Sequence, residues 1–182
     1  MALKINHAGV GYIPNKGEFG KHSRYYTGTK KPDVSEAFLL QRDWGACLPN
    51  SRNQWPDGET EFQDTMIAFF EATEDLSLHM LPLYARALDM PPDFFQDKFP
   101  KERCLNVLRV SHMPPDPLED NEFNICPHTD GSFMTLLATS DQPGLEILTQ
   151  SGQWIKAPLI PDAFVVNSGD LLARWSNGRL LS

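Results

Sequence analysis

The residues best suited to chemistry stand two apart, His128 and Asp130, in the run Pro127-His128-Thr129-Asp130-Gly131-Ser132-Phe133-Met134-Thr135-Leu136-Leu137. In an extended segment successive side chains alternate faces, so the imidazole and the carboxylate point the same way and can converge on one ion. One nitrogen and one oxygen donor at that spacing supply two legs of a two-histidine, one-carboxylate facial triad. Such a triad holds Fe(II) while leaving positions open for an oxidant and a cosubstrate. A lone His-x-Asp is commonly no more than a surface turn, and here the surroundings decide. The pair precedes an apolar strand, then Gly144-Leu145-Glu146-Ile147-Leu148, a Trp154 strand, and Ala163-Phe164-Val165-Val166-Asn167-Ser168-Gly169-Asp170-Leu171-Leu172. The sequence closes on Arg174-Trp175-Ser176-Asn177-Gly178-Arg179-Leu180-Leu181-Ser182.

A second group lies on Leu108-Arg109-Val110-Ser111-His112-Met113-Pro114-Pro115. Arg109, Ser111 and Met113 alternate onto one face, expected to be the inward one, and His112 then faces away. Met113 has no group that donates a hydrogen bond to a carboxylate. His7, His22 and His79 have no carboxylate at ligand spacing in a strand and read as ordinary histidines. Cys126 reads as a small buried thiol beside the site rather than a soft ligand. Trp154 and Trp175 read as core packing, and Glu146 faces either the site mouth or solvent.

This order of motifs resembles the isopenicillin N synthase-like Fe(II)/2-oxoglutarate-dependent dioxygenases, well over residues 104–182 and more loosely back to Gly11. The resemblance implies a double-stranded β-helix, or jelly-roll, with iron bound by His128 and Asp130. It also implies cosubstrate contacts from the strand bearing Arg109, Ser111 and Met113. The expected reaction couples decarboxylation of 2-oxoglutarate, with O2, to hydroxylation, desaturation or cyclisation of a small organic substrate. Where the family has an asparagine and a tyrosine on that strand, this chain has Ser111 and Met113. The family's distal histidine ligand, and the arginine and serine that grip the far carboxylate of 2-oxoglutarate, are expected just past Ser182. A further N-terminal region of the family precedes the part that resembles Met1 to Leu40. The chain therefore reads as shortened at both ends. The alternative to an enzyme is a catalytically incomplete relative acting, if at all, through binding, with an open sheet edge that invites self-association. A cupin-like module is disfavoured, because a cupin site offers more histidines than this segment contains.

The elements that must position these residues fall into three stretches. Residues 1–58 are rich in Gly, Pro, Asn and Asp and read as irregular. Within them Asp33 to Leu40 reads as a short helix, with Asp33 placed to cap it and Glu36 three residues on, followed by a strand. Residues 59–100 are helical: Phe62, Met66, Phe69, Phe70, Thr73, Leu76, Met80, Leu83, Tyr84, Ala87 and Leu88 recur at steps of three and four. Pro82 should bend this helix, and a second short helix should follow Pro91-Pro92, with Phe94 and Phe95 turned inward. Residues 101–182 form the partial β-helix domain. Its strands are expected at 105–110, 133–138, 145–148, 154–155, 164–166 and 171–175. The fold class is α+β, mainly β.

Composition sets outer bounds. The 182 residues are 41% hydrophobic, 22% charged and 10% aromatic, as in an ordinary globular protein. A net charge of -8 with no basic run argues against nucleic acid as a partner. Three cysteines, Cys47, Cys104 and Cys126, leave an odd thiol, which suits a reducing compartment and points to the cytoplasm. No signal-peptide core is visible at the start, and no stretch approaches the roughly 20 apolar residues of a membrane span. A soluble protein acting on a small molecule is expected.

Overall fold

The computed structural model describes residues 9–18, 31–42 and 52–182. The chain divides into two compact units, Met1–His128 and Thr129–Ser182. Among the described residues there are seven strands in three small sheets and two helices, a strand-rich mixed architecture.

In the first unit, strands β1 (Gly11–Ile13), β2 (Glu36–Gln41) and β3 (Val107–His112) form an antiparallel sheet in the order β1-β2-β3. The register pairs Tyr12 with Phe38, Glu36 with His112 and Leu39 with Arg109. Where β1 has ended, the Asn53 side chain takes its place beside Gln41. Its Oδ1 accepts the Gln41 N–H at 3.0 Å and its Nδ2 donates to the Gln41 carbonyl at 2.7 Å. Helix α1 (Thr60–Ala87) buries Met66, Phe70, Glu74, Leu81 and Ala85, spaced by helical turns. Leu40 of β2 joins Met66 and Phe70 in a core cluster, with Phe38, Trp55, Phe62 and Leu108 packed against it. Phe38, Trp55 and Phe62 form an aromatic triangle with centroids 5.3–6.1 Å apart. Buried Glu74 is met by Arg42, whose Nε lies 3.3 Å from Oε1, and by the Asn106 amide at 3.1 Å. The helix ends where Asp89 turns left-handed (φ 59°) and the Met90 N–H reaches back to the Ala85 carbonyl.

Several expectations need correction. Asp33 starts no helix: only β2 forms there, because the Asp33 carboxylate bonds to Cys126 and not to a following turn. Pro91 to Phe99 is a series of turns and not a helix. Phe95 is fully buried, whereas Phe94 is only partly buried, under the Lys98 ammonium, 4.3 Å from its ring centre. Phe69, Leu76 and Leu83 are exposed, since the apolar band of α1 is wider than the face that packs.

The second unit pairs β4 (Met134–Ala138) with β7 (Phe164–Ser168) and β5 (Glu146–Leu148) with β6 (Trp154–Lys156), both antiparallel. Gly152 (φ 81°) closes the β5–β6 turn, with its N–H on the Thr149 carbonyl. The strand expected at 171–175 is instead helix α2 (Asp170–Trp175). Its first two amides are accepted by the preceding loop, Asp170 N–H by the Asp130 carbonyl at 2.7 Å and Leu171 N–H by that of Ser132 at 3.2 Å. Leu172 and Ser176, one turn apart, are buried. Gly169 makes this approach feasible, because a Cβ there would stand 1.9 Å from the Ser132 oxygen. Trp154 and Trp175 are about half-exposed and not core, although Trp175 meets Phe133 edge-on at 6.0 Å.

Candidate metal site

His128 and Asp130 lie in the irregular stretch just ahead of β4. Each is oriented by neighbours in its own unit. The His128 Nδ1 stands 2.8 Å from the Cys126 carbonyl oxygen. A carbonyl only accepts, so Nδ1 carries the hydrogen and the neutral ring has its lone pair on Nε2. A histidine whose second nitrogen donates to a backbone carbonyl has the arrangement typical of metal-ligating imidazoles. The Asp130 Oδ2 accepts from Thr135 Oγ1 at 2.6 Å and from Asn167 Nδ2 at 2.8 Å. Thr135 on β4 and Asn167 on β7 are register partners, so one cross-strand pair aims the carboxylate. The Asp130 N–H donates to Ser182 Oγ at 3.0 Å, and Thr129 Oγ1 donates to Asp170 Oδ2 at 3.0 Å.

On β3, Arg109 and Ser111 share a face, as alternation requires, and Arg109 Nε donates to Ser111 Oγ at 2.9 Å. Arg109 Nη2 also pairs with Glu18 at 2.6 Å. Met113 lies past the end of the strand and is exposed. His112 points away from that face, with Nδ1 2.9 Å from Glu36 Oε1, and Tyr12 donates to the other oxygen of Glu36. The Tyr12 hydroxyl, then the His112 ring, hold the Glu36 carboxyl below the ordinary glutamate range. His79 rests on α1 with Nδ1 2.7 Å from the Asp75 carbonyl. His7, His22 and Cys47 lie outside the described residues. Cys104 and Cys126 are buried free thiols, and burial pushes both up from the usual thiol range. Glu146 is exposed.

Thr135 and Asn167 were not singled out by sequence reasoning, and Asp33 was read only as a helix cap. Strand alternation could have placed Thr135 and Asn167 on site-facing positions, but not opposite one another. Asp33 touches Cys126 across 93 residues, and no local pattern encodes that. Among the described residues no group of three or more His, Cys, Asp and Glu side chains is placed to hold a metal ion. No described helix is long and apolar enough to cross a membrane.

Comparison with known proteins shows what this chain is similar to. The sequence model of the 2OG-Fe(II) oxygenase superfamily matches residues 104–182. The 2-oxoglutarate-dependent dioxygenase ecdK of Aspergillus rugulosus is 38% identical over 138 residues, covering 71% of this chain and 41% of that protein. The 2-oxoglutarate-Fe(II) type oxidoreductase hxnY of Emericella nidulans is 33% identical over 166 residues, covering 83% and 47%. The chain thus spans about half the length of the curated relatives it matches. Among solved structures, full-length Neurospora crassa T7H in complex with alpha-KG is similar with a TM-score of 0.74 and 27% identity, over 95% of this chain and 54% of that one. Over residues 104–182 the chain is thus similar to the 2OG-Fe(II) oxygenase superfamily, whose members use Fe(II), 2-oxoglutarate and O2.

Proposed function

We propose that this chain supplies the His-x-Asp portion of an Fe(II)/2-oxoglutarate oxygenase, with His128 Nε2 and Asp130 as two of the iron's ligands. The carrying observation is that both side chains are oriented by hydrogen bonds: His128 Nδ1 on a backbone carbonyl, and Asp130 Oδ2 on Thr135 and Asn167. An imidazole nitrogen and a carboxylate oxygen fit the donor set of a non-haem Fe(II) centre. When bound, such an iron supplies the oxidising chemistry, and the protein's part is orientation and exclusion of side reactions. Arg109 and Ser111, on the less exposed face of β3, are the residues to meet the carboxylates of 2-oxoglutarate. Met113 adds apolar surface there, with no donor. The β5–β6 hairpin lying in sequence between the paired strands β4 and β7 supports residues 101–182 as part of a double-stranded β-helix. The product class is an oxidised small organic molecule, by hydroxylation, desaturation or ring closure.

The second reading is a member that binds without turning over. One experiment separates the two. Succinate formation from 2-oxoglutarate is followed in air with Fe(II), for the 182-residue chain and for a chain extended by a segment supplying a histidine and an arginine. Ligand count predicts little turnover from the first and recovery in the second, because the arginine adds a bidentate grip on a carboxylate. Equal turnover would mean that another group completes the site, with Cys126 or His112 the first to test.

A further inference from the structure

Asp33 is a buried carboxylate, 8% exposed, on a segment tied down on both sides. Its own N–H donates to the Glu18 carbonyl at 3.0 Å, and the next amide, Val34 N–H, donates to the Phe123 carbonyl at 2.8 Å. The Asn124 amide closes the contact on the Val34 carbonyl at 3.0 Å. From this fixed base Asp33 Oδ1 accepts the Cys126 N–H at 3.1 Å. Burial raises the Asp33 pKa; the Cys126 amide lowers it, the Glu18 charge raises it and the Arg109 charge lowers it.

The residue after Cys126 turns this bond into leverage. Residue 127 is proline, which confines Cys126 to extended backbone and locks its own φ near about −65°. With so few torsions left, holding the Cys126 N–H also sets where the Cys126 carbonyl points. That carbonyl is the acceptor for His128 Nδ1 at 2.8 Å. We propose that Asp33 is a positioning residue for His128: its carboxylate fixes the Cys126–Pro127 bracket, and the bracket presents His128 Nε2 to the metal. The proposal rests on the reading of His128 as an iron ligand.

The test uses the full 182-residue chain with Asp33→Ala, Asp33→Asn, Asn124→Ala and His128→Ala. Asn keeps an oxygen acceptor for the Cys126 amide, Ala does not, and Asn124→Ala loosens the same loop without touching Cys126. Two readouts apply: ring ¹⁵N shifts of His128 without metal, which report the nitrogen carrying hydrogen, and Fe(II) affinity by anaerobic titration. Asp33→Ala is expected to mix the His128 tautomers and lower Fe(II) affinity by about tenfold or more, the usual effect of losing a residue that orients a ligand. Asp33→Asn and Asn124→Ala should keep the Nδ1–H form and near-native affinity. Should Asp33→Ala fail to fold, Asp33→Ser, too short to reach the amide, takes its place with the same expectation. Wild-type behaviour of the Ala or Ser variant, while His128→Ala loses affinity, would overturn the positioning role and leave the metal reading standing. Equal losses from Asp33→Ala and Asn124→Ala would overturn it too, as loop docking alone would then explain both. Undiminished affinity in His128→Ala would overturn the metal reading and this proposal with it.

Discussion

The two units differ in how many apolar residues they bury. Among the described residues, the first buries Val10, Ile13, Val34, Ala37, Leu40, Met66, Phe70, Leu81, Ala85, Phe95, Cys104 and Cys126, a core shared by a sheet and a long helix. The second buries only two hydrophobic residues, Phe133 and Leu172, and leaves Leu137, Ile147, Trp154, Ile155, Ile160, Val166 and Trp175 exposed. Two-stranded ladders are marginal by themselves, because too little apolar surface leaves water. Order around Asp130 therefore has a different origin from order in the first core. In the second unit polar bonds, from Thr135, Asn167 and the amides of α2, fix the loop, and little apolar packing assists them.

The largest effect expected from this contrast is that of Leu40→Ala. Leu40 is 1% exposed at the centre of the first core, so its truncation should cost about 2–5 kcal/mol in urea unfolding. Ile155→Ala, on a half-exposed hairpin strand, should cost within about 0.5 kcal/mol. A cost for Ile155→Ala that approaches that of Leu40→Ala and grows with protein concentration would undo the contrast, since it would mean that this face is covered by a second molecule in solution.

Next comes Gly169→Ala. The added Cβ would overlap the Ser132 carbonyl, so the loop carrying Asp130 has to move away from α2. Overpacking of this kind costs about 1–3 kcal/mol. Its exchange signature should be confined to the second unit: faster hydrogen exchange at the Asp170 and Leu171 amides, with β2 and β3 unchanged. Equal loosening in β2 would show that the units do not behave separately.

These cases also show what the sequence made legible. Helix α1 and strands β4 to β7 follow directly from apolar period and turn residues, because each is a local pattern. The His128 and Asp130 pair was visible as spacing. What orients the pair was not: Asp33 meets Cys126, and Thr135 meets Asn167, through pairings distant in the chain. The Leu171–Trp175 stretch misled for a related reason. Its apolar run suits a strand, but loop carbonyls of Asp130 and Ser132 accept its first amides and start a helix. Met113 was read as part of the strand, which ends one residue before it.

A smaller effect concerns pH and the first unit alone. The Glu36 carboxyl is held below its ordinary value of 4.5, first by the Tyr12 hydroxyl and then by His112. A depressed acid adds stability that is present above its unfolded value and is lost as pH falls through the folded one. Wild-type chain should therefore lose a small increment of thermal stability below about pH 4.5, and Tyr12→Phe should flatten that loss. An identical acid limb in Tyr12→Phe, followed by circular dichroism melting, would remove Glu36 as a source of the acid response.

Whether His128 and Asp130 act together as metal ligands is decided by anaerobic titration of Fe(II) into the 182-residue chain, His128→Ala and Asp130→Ala. Asn167→Ala serves as the variant that disturbs Asp130 only through its orientation. Joint ligation predicts weak but saturable binding in the wild type, loss of binding in both ligand variants, and an affinity reduced by about tenfold in Asn167→Ala. Binding that is the same in all four proteins would contradict it.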